Sequence, residues 1–343
     1  MSDNRPDLDV DAVARWLAGR LPGFDAPVEV NKFETGQSNP TYGLATGHGR
    51  YVLRRKPHGV LLKSAHAVDR EFRVQSALAS TDVPVAKMHA FCDDAEVIGA
   101  PFYIMDWVAG RTFNDPAMPG LTAEERSAVA DDMNRVLTAI HGVNLDAVGL
   151  ADYGPRGNYY RRQIDRWTKQ YRATETEAIP DMDALIRWLD AHVPQDDGRV
   201  TLVHGDYRLD NLLIASNAPR CVAVLDWELS TLCHPFADLA GVIMQWSRPP
   251  GEFDRGLAGV DRKALGLPED RAFVDAYCAR AGLPGIERFN FYLAFCFFRM
   301  GAILQGVKRR ALDGNASNPD LALRIGAPVP DYAKSGVAAA LNG

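Results

Sequence analysis

The sequence predicts an α+β protein of two lobes, with an antiparallel sheet and one main helix in the first lobe and mainly helices in the second. Three observations predict it. The chain has 343 residues, more than a single hydrophobic core usually serves. Short runs with alternating and β-branched residues dominate up to about residue 108, and long helical patterns dominate afterwards. We therefore expect one lobe at residues 1–108 and another at 109–343.

In the first lobe, the pattern indicates a helix, a run of strands, a second helix and two more strands. Asp9 or Asp11 can cap the first helix, which Pro22 and Gly23 end. The second helix follows Ser64. The strands are expected at 27–33, 41–45, 50–55, 85–91 and 101–108. This order predicts an antiparallel sheet that begins as a meander.

In the second lobe, helical patterns are interrupted by short strands. Thr122 and Glu125 form a capping box at the start of a helix that is expected to reach about His141. Further helices are expected at 159–172, 181–192, 269–281 and 287–310. Short strands are expected at 200–203, 212–214 and 222–225. These strands flank the polar residues that carry the strongest functional signal.

The composition excludes some classes of protein. Hydrophobic residues make up 47% of the chain and charged residues 24%, as in ordinary globular proteins. The formal net charge of -6 gives no basic excess for binding a nucleic-acid backbone. Residues 1–6 are polar, unlike a signal peptide, and the longest nearly uncharged apolar run, 289–298, is too short to span a bilayer. We expect a cytoplasmic protein that binds neither nucleic acid nor a membrane.

Five cysteines are scattered through the chain, and none of them forms a C-x-x-C motif. They are Cys92, Cys221, Cys233, Cys278 and Cys296. Their odd number argues against a disulfide framework. We expect reduced and mostly buried thiols.

The strongest functional signal is the segment from His204 to Asn211, which reads His-Gly-Asp-Tyr-Arg-Leu-Asp-Asn and precedes an aspartate after the next strands. Phosphoryl transfer needs a carboxylate that orients or deprotonates the attacking hydroxyl, and oxygen ligands that hold Mg²⁺ on the nucleotide phosphates. Protein kinases place an Asn after their catalytic Asp and a metal-binding Asp on a separate loop. Asp206, Asn211 and Asp226 reproduce that pattern. The alternative is an Asx turn between two strands.

With these residues the chain resembles the aminoglycoside phosphotransferase family, which shares a two-lobed protein-kinase-like fold with choline kinases. The resemblance extends over residues 28–305. It implies a phosphotransferase that uses ATP and Mg²⁺ to phosphorylate a hydroxyl of a small molecule, with a nucleotide-binding first lobe and a catalytic, acceptor-binding second lobe. It also implies that Asp206 is the catalytic base and that Asn211 and Asp226 are Mg²⁺ ligands.

The resemblance and the spacing also give roles to nearby residues. His204 is implied to be a structural residue of the catalytic loop, and Asp238 is implied to support that loop by hydrogen bonding. Arg208 lies two residues after Asp206, where protein kinases often place a Lys that neutralises the γ-phosphate; a simple surface arginine is the alternative. Glu228 can reach the metal or pair with an arginine.

Two segments are expected to offer backbone groups to the nucleotide. The loop between the first two strands contains Gly36, Ser38 and Asn39, whose N–H groups can point at phosphate oxygens. It is not a G-x-G-x-x-G loop, and a plain hairpin turn is the alternative. The strand run up to Val108, which includes Asp106, precedes a glycine as expected of a hinge whose backbone pairs with adenine.

A cation and its carboxylate partner are expected for the α- and β-phosphates, because kinases hold these with a strand Lys fixed by a Glu on the following helix. Arg54 falls where the family often has that Lys, and Glu71 matches the partner. An arginine can bind phosphate bidentately, so the role survives the substitution. Arg55 or Lys56 is the alternative.

The acceptor is argued from charge. From Leu229 onward there are 13 Lys and Arg against 11 Asp and Glu, so no acidic excess suits a polycationic aminoglycoside, which is the alternative acceptor. Basic residues on the helix at 159–172, together with Arg299, can receive an anionic acceptor. The other interpretation is a solvated basic face plus an Arg299 ion pair. Similar sequences form the kinase-like part of some acyl-CoA dehydrogenase fusions and occur in hydroxyacyl-CoA catabolism, which favours a hydroxyacyl-CoA.

A pseudokinase or nucleotide-binding regulatory module is the second functional hypothesis. Pseudokinases typically lose the base, the metal-binding Asn or the metal-binding Asp, whereas Asp206, Asn211 and Asp226 are all present. The sequence therefore favours an enzyme. It leaves the nucleotide preference between ATP and GTP, and the oligomeric state, open.

Overall fold

A computed structural model describes residues 7–21, 24, 29–33, 39–57, 67–316 and 318–342. The chain forms two compact units. The first consists of Met1–Thr112, Asn144–Leu150 and Asn211–Ser230, and the second of Phe113–Val143, Ala151–Asp210 and Thr231–Gly343. The predicted α+β fold, with an antiparallel sheet followed by a mainly helical part, is confirmed. The lobe boundary at residues 108 and 109 stays a prediction.

The first unit is built on an antiparallel sheet with the strand order β1-β2-β3-β5-β4. Its strands are β1 (Glu29–Lys32), β2 (Thr41–Ala45), β3 (Arg50–Arg55), β4 (Met88–Cys92) and β5 (Phe102–Asp106). Two helices accompany the sheet, α1 (Val10–Leu17) and α2 (Val68–Leu78). The strands β1 to β3 form the predicted meander, and β5 then pairs with β3. The N-cap residue predicted at Ser64 lies outside the described residues.

Helix α1 packs its apolar face on one side of this sheet. It begins where the Asp9 carboxylate accepts a hydrogen bond from the Ala12 N–H at 2.9 Å, as a helix N-cap does. Val13 and Leu17 are fully buried in a core with Leu53 and other sheet residues. Every second side chain of β3 points to the other face of the sheet, because successive residues of a strand point to opposite faces.

A hairpin from the later sequence also belongs to the first unit. Its strands are β6 (Leu212–Ile214) and β7 (Cys221–Val224), which pair antiparallel. The Val224 N–H donates to the Pro84 carbonyl at 2.8 Å, and Arg111 exchanges two backbone hydrogen bonds with Ile214. At Gly110 an added Cβ would lie 2.8 Å from the Ile214 carbonyl oxygen, so the close approach requires a glycine. The hairpin is therefore held in the same unit as Arg54 and Glu71.

The second unit is mainly helical. Its helices are α3 (Ala123–His141), α4 (Tyr159–Thr174), α5 (Pro180–Ala191), α6 (Phe236–Trp246), α7 (Arg262–Leu265), α8 (Asp270–Ala281), α9 (Phe289–Leu312), α10 (Pro319–Gly326) and α11 (Val329–Leu341). A short ladder joins Thr201–Val203 to Thr231–Cys233. The capping box of α3 is present as predicted: the Thr122 side chain accepts from the Glu125 N–H, and the Glu125 carboxylate accepts from the Thr122 N–H.

Helix α9 is as long as predicted but begins and ends two residues later, and it is more apolar than the count of residues 289–298 indicated. Among the described residues it is the helix whose length and composition would let it cross a membrane, although 61% of its apolar window is buried inside the protein. The apolar run continues past Arg299, where the sequence-based count stopped. Such burial is typical of a core helix. The prediction that the cysteines are buried and unpaired is confirmed for Cys92, Cys221, Cys233, Cys278 and Cys296.

Candidate active site

The segment after the strand Thr201–Val203 forms a tightly held catalytic loop, which we define as residues 204–208. Asp238, on α6, accepts the His204 N–H at 2.6 Å through one carboxylate oxygen and the Gly205 N–H at 2.9 Å through the other. Gly205 has a φ of 86°, a left-handed conformation that favours glycine. The Asp206 N–H then donates to His204 Nδ1 at 3.3 Å. The expectation that Asp238 hydrogen-bonds this loop is confirmed.

Asp238 itself is buried, and its charge is supported from several sides. Burial disfavours the carboxylate, but His141, with Nε2 at 3.5 Å, and the loop N–H groups outweigh this effect. The pKa of Asp238 is therefore held below its usual value. His141 is fixed in turn by a 2.8 Å hydrogen bond between its Nδ1 and the hydroxyl of Tyr277. This chain of contacts ties the catalytic loop to α3, α6 and α8.

The catalytic loop forms one wall of a cleft in the second unit with a volume of about 230 Å³, which we call the loop cleft. Its side chains are charged and apolar, and include Asp206, Arg208, Phe253, Arg299, Met300 and Leu304. The side chain of Asp206 is 32% exposed. A carboxylate at the wall of a cleft of this size can meet a small-molecule group.

Arg208 is tied to the proposed base and is not a simple surface arginine. Its Nε lies 3.3 Å from an Asp206 carboxylate oxygen, and its Nη2 lies 2.9 Å from an oxygen of Asp210. The mostly buried Asp210 carboxylate also receives Arg255 Nη1 at 2.5 Å. Asp210 thereby links the catalytic loop to the segment that contributes Phe253 to the loop cleft.

Arg299 corrects one sequence-based interpretation, since it forms no ion pair with any residue that the structure describes. Its Nη2 donates to the Gly205 carbonyl oxygen at 2.8 Å. Within the described part of the chain, no carboxylate lies within 4.0 Å of the Arg299 guanidinium. The side chain lies inside an apolar helix and reaches the backbone of the catalytic loop, so a carbonyl takes the place expected for an acidic partner.

The paired basic residues of α4 fit the alternative interpretation, which was a solvated basic face. Arg161 pairs with Asp165 and Asp190, and Arg172 pairs with Glu175 and Asp183. These side chains are more than a third exposed, so their pairs are solvated surface contacts of small energetic value.

In the first unit, the side chain of Arg54 lies among three carboxylates. Its Nε is 3.0 Å from Glu71 Oε2, and its Nη2 is 3.0 Å from Asp226 Oδ1 and 3.9 Å from Glu228. The Arg55 side chain points to the opposite face of the sheet and pairs with Asp7. The geometry therefore selects Arg54 over Arg55 as the partner of Glu71.

Glu71 is the buried centre of this group, with a side chain only 1% exposed. It accepts hydrogen bonds from Asn39 Nδ2 at 2.8 Å and from the Tyr103 hydroxyl at 3.0 Å. Burial raises the pKa of Glu71, and the neighbouring Arg54 guanidinium counteracts this effect. Asn39 thus uses its side chain to hold Glu71. Tyr103 was missed in the sequence, because an apolar strand carries no signal that one hydroxyl in it meets a buried carboxylate.

The two predicted Mg²⁺ ligands lie together at the open end of the β6–β7 hairpin. The Leu225 N–H donates to the Asn211 carbonyl at 2.8 Å, which places Asp226 beside Asn211. Asp226 adopts a left-handed φ of 62°, and its side chain is 37% exposed. Among the residues that the structure describes there is no group of three or more His, Cys, Asp or Glu that could hold a metal. One carboxylate with an amide oxygen still fits Mg²⁺, which keeps several waters and shares its shell with substrate phosphates.

The structure describes only some of the remaining residues that were predicted to bind the nucleotide. Gly36 and Ser38 lie outside the described residues. The Asp106 carboxylate lies 2.5 Å from His89 Nε2, and the Asp106 N–H donates to the Lys87 carbonyl at 2.9 Å. The roles of Asp106 and Val108 as backbone partners of adenine stay predictions.

With the geometry in place, comparisons with known proteins give the family. The model of the phosphotransferase enzyme family matches residues 29–292. Acyl-CoA dehydrogenase family member 10 of Mus musculus is 46% identical over 310 residues, which cover 90% of this chain and 29% of that protein. The chain spans less than half the length of the curated relatives it matches.

Solved structures agree with this similarity. A crystal structure from Ralstonia eutropha, provisionally named an aminoglycoside phosphotransferase, is 48% identical with a TM-score of 0.89, covering 97% of this chain and 98% of that one. A thermostable mutant of the aminoglycoside phosphotransferase APH(4)-Ia, solved with AMP-PNP and hygromycin B, has a TM-score of 0.64 at 16% identity, covering 97% of this chain and 100% of that one. This second likeness shows the fold alone. The chain belongs to the phosphotransferase enzyme family.

Proposed function

We propose that the protein transfers the γ-phosphoryl group of ATP to a hydroxyl of a small molecule, with Mg²⁺ as cofactor. The observation that carries the proposal is the catalytic loop, in which Asp238 holds the backbone so that Asp206 stands at the wall of the loop cleft. A rigidly held carboxylate beside a small-molecule cleft suits a base that orients an attacking hydroxyl. The family membership supports the reaction type.

Residues of the first unit provide the nucleotide side. Arg54, held by Glu71, binds phosphate oxygens, and Asp226 with Asn211 would hold Mg²⁺. When bound, Mg²⁺ neutralises phosphate charge that develops during transfer. We take ATP as the nucleotide because the sequence motifs resemble those of the aminoglycoside phosphotransferase family.

Residues of the second unit provide the acceptor side. The acceptor hydroxyl donates its proton to the Asp206 carboxylate as its oxygen forms a bond to the γ-phosphorus. The bond between the γ-phosphorus and the β–γ bridging oxygen breaks, and ADP leaves. Arg208, 3.3 Å from Asp206, keeps that carboxylate in place and adds positive charge where the transferred group arrives.

For the acceptor itself we favour a hydroxyacyl thioester of CoA over an aminoglycoside. The loop cleft combines apolar side chains with Arg299, which has no carboxylate partner among the described residues. The acidic Asp254 at the cleft is engaged by Arg248 Nε at 3.0 Å. Neither feature suits a polycation. The similarity to proteins named as acyl-CoA dehydrogenase family members supports a CoA ester.

The test is steady-state kinetics with Mg²⁺ and ATP, comparing short-chain hydroxyacyl-CoA esters with kanamycin-type aminoglycosides. We expect a higher kcat/KM for a CoA ester. A higher kcat/KM for an aminoglycoside would overturn the acceptor assignment and leave the phosphotransferase proposal standing. Tight ATP binding without transfer to any hydroxyl compound would instead favour a nucleotide-binding regulatory module.

A further inference from the structure

We propose that Arg299 binds a carbonyl-type oxygen of the acceptor, either the carbonyl of a thioester or the carboxylate of a free hydroxy acid. The inference rests on the proposed function and narrows its substrate class. It narrows the acceptor-binding role that the sequence suggested for Arg299, on helix α9, to contact with one kind of oxygen.

The first argument is the charge of the loop cleft. Two arginines line it among the described residues, Arg208 and Arg299. Arg208 is balanced by Asp206 and Asp210. Among the described residues, Arg299 has the Gly205 carbonyl as its hydrogen-bond partner and no carboxylate within 4.0 Å. Asp238, which also lines the cleft, attracts the Arg299 guanidinium at longer range. The cleft therefore contains one guanidinium that no described carboxylate contacts directly.

The second argument is the free-energy cost of burying the Arg299 guanidinium. Arg299 is partly buried in α9 between Phe298 and Met300, and burying a charge is unfavourable unless it is paired and hydrogen-bonded. One hydrogen bond to a carbonyl uses one of the five N–H groups of a guanidinium. An oxygen-bearing ligand in the cleft would satisfy further donors and offset part of the cost.

The third argument is the distance to the reacting group. Arg299 contacts the backbone of Gly205, and Gly205 directly precedes Asp206. An acceptor whose hydroxyl meets Asp206 can thus place a carbonyl a few bonds away against Arg299. Apolar residues of the same cleft, Phe253 and Leu304, suit the hydrocarbon part of such a molecule.

The experiment is isothermal titration calorimetry of the full chain without ATP, so that the result does not depend on phosphoryl transfer. The probes are β-hydroxybutyryl-CoA, β-hydroxybutyrate and neutral butanediol. We expect at least one of the first two probes to bind the wild type. Arg299→Met should weaken that binding about 10- to 100-fold, the range for hydrogen bonds to a charged group. Preferential loss for the ester or for the free acid tells which oxygen Arg299 binds.

Two variants serve as controls. Arg309→Met removes another arginine of α9, one that pairs with Asp313 at the surface, and should leave binding unchanged. Arg299→Lys keeps the charge and should recover part of the affinity. The proposal is overturned if neither β-hydroxybutyryl-CoA nor β-hydroxybutyrate binds the wild type, or if the probe that binds does so equally well to Arg299→Met. It is also overturned if Arg299→Met loses affinity for butanediol to the same extent, which would indicate damage to the catalytic loop. Binding without phosphoryl transfer would refute the proposed reaction and leave this inference intact.

Discussion

Asp206 is the residue on which the proposed chemistry depends most. Because it acts on the acceptor hydroxyl, Asp206→Ala should abolish transfer, with a loss of about 10²- to 10⁴-fold in kcat as is usual for a general base. ATP binding should stay nearly intact. The measurements are kcat on the best acceptor and ATP titration of the same variant. Wild-type kcat in the variant would refute the role of Asp206.

Asp226 and Asn211 should differ in their effect on Mg²⁺. Asp226→Ala removes an anionic oxygen beside Arg54, and a hard cation with few protein ligands depends strongly on each one. We expect weaker ATP binding in the presence of Mg²⁺ and little change in its absence. Asn211→Ala should show the same trend more weakly. Equal Mg²⁺ dependence of ATP affinity in Asp226→Ala and wild type would contradict the assignment.

Single residues also show what the sequence can and cannot predict. Asp206, Asn211 and Asp226 were recognisable because their spacing is unusual outside kinase-like proteins. The choice between Arg54 and Arg55 was not, because it depends on which face of β3 each side chain takes. The hydrogen bond from Arg299 to Gly205 was also hidden, since Gly205 is distant in sequence and accepts through its backbone.

At the scale of elements, α6 should control the catalytic loop through Asp238. Asp238→Asn replaces a carboxylate that accepts two loop N–H groups by an amide that can accept through one oxygen only. Leaving a buried donor unsatisfied and losing charged hydrogen bonds should lower the free energy of unfolding by about 2–5 kcal/mol. Chemical denaturation of both proteins measures this difference.

The same pair of proteins should differ in pH dependence. The pKa of Asp238 is lower in the folded protein than its ordinary value, so its stabilising contribution is present above about pH 4, the unfolded value, and is lost as the pH falls through the folded pKa. The stability difference between wild type and Asp238→Asn should therefore shrink below about pH 4. A difference that grows towards acid pH would show that the sign of the shift is wrong.

Gly110 tests how the β6–β7 hairpin is held. Because an added Cβ would meet Leu213 Cγ at 2.6 Å and the Ile214 carbonyl at 2.8 Å, Gly110→Ala should destabilise the protein by about 1–3 kcal/mol, as overpacking does. The hairpin carries Asn211 and Asp226 at its open end, so the KM for MgATP should also rise. Gly120→Ala is a control for a glycine with open space around it, although its positive φ adds some strain. An unchanged KM in Gly110→Ala would show that the hairpin docks without this contact.

Elements with strong local signals were predicted closely. The bounds of β2 and β3 and the start of α3 follow from strand alternation and a capping box. Helix α6 was missed, because most of its residues are apolar and buried and a short apolar run does not distinguish a helix from a strand. The helices α10 and α11 were missed as well. The sequence therefore predicted a role for Asp238 without predicting the helix on which it lies.

At the scale of the whole molecule, the fold class followed from length, texture and family resemblance, and the comparisons confirm it. The membership of Asn211–Ser230 and Asn144–Leu150 in the first unit was not predictable. It depends on contacts between segments far apart in sequence, such as that of Val224 with Pro84 and that of Arg73 with the Gly149 carbonyl at 2.9 Å. Sequence order alone assigns such segments to the part of the chain in which they occur.

The central claim is phosphoryl transfer to a hydroxyl, and the most direct measurement traces a label from the γ-phosphorus of ATP to its product. Wild type and Asp206→Asn are incubated with Mg²⁺, ATP labelled at the γ-phosphorus and a panel of short-chain hydroxyacyl-CoA esters and other hydroxyl compounds. The account predicts that wild type places the label on the oxygen of an acceptor hydroxyl, with one ADP formed for each phosphorylated acceptor, and that Asp206→Asn does not. Label found only in inorganic phosphate with every acceptor, or equal transfer by Asp206→Asn, would contradict it.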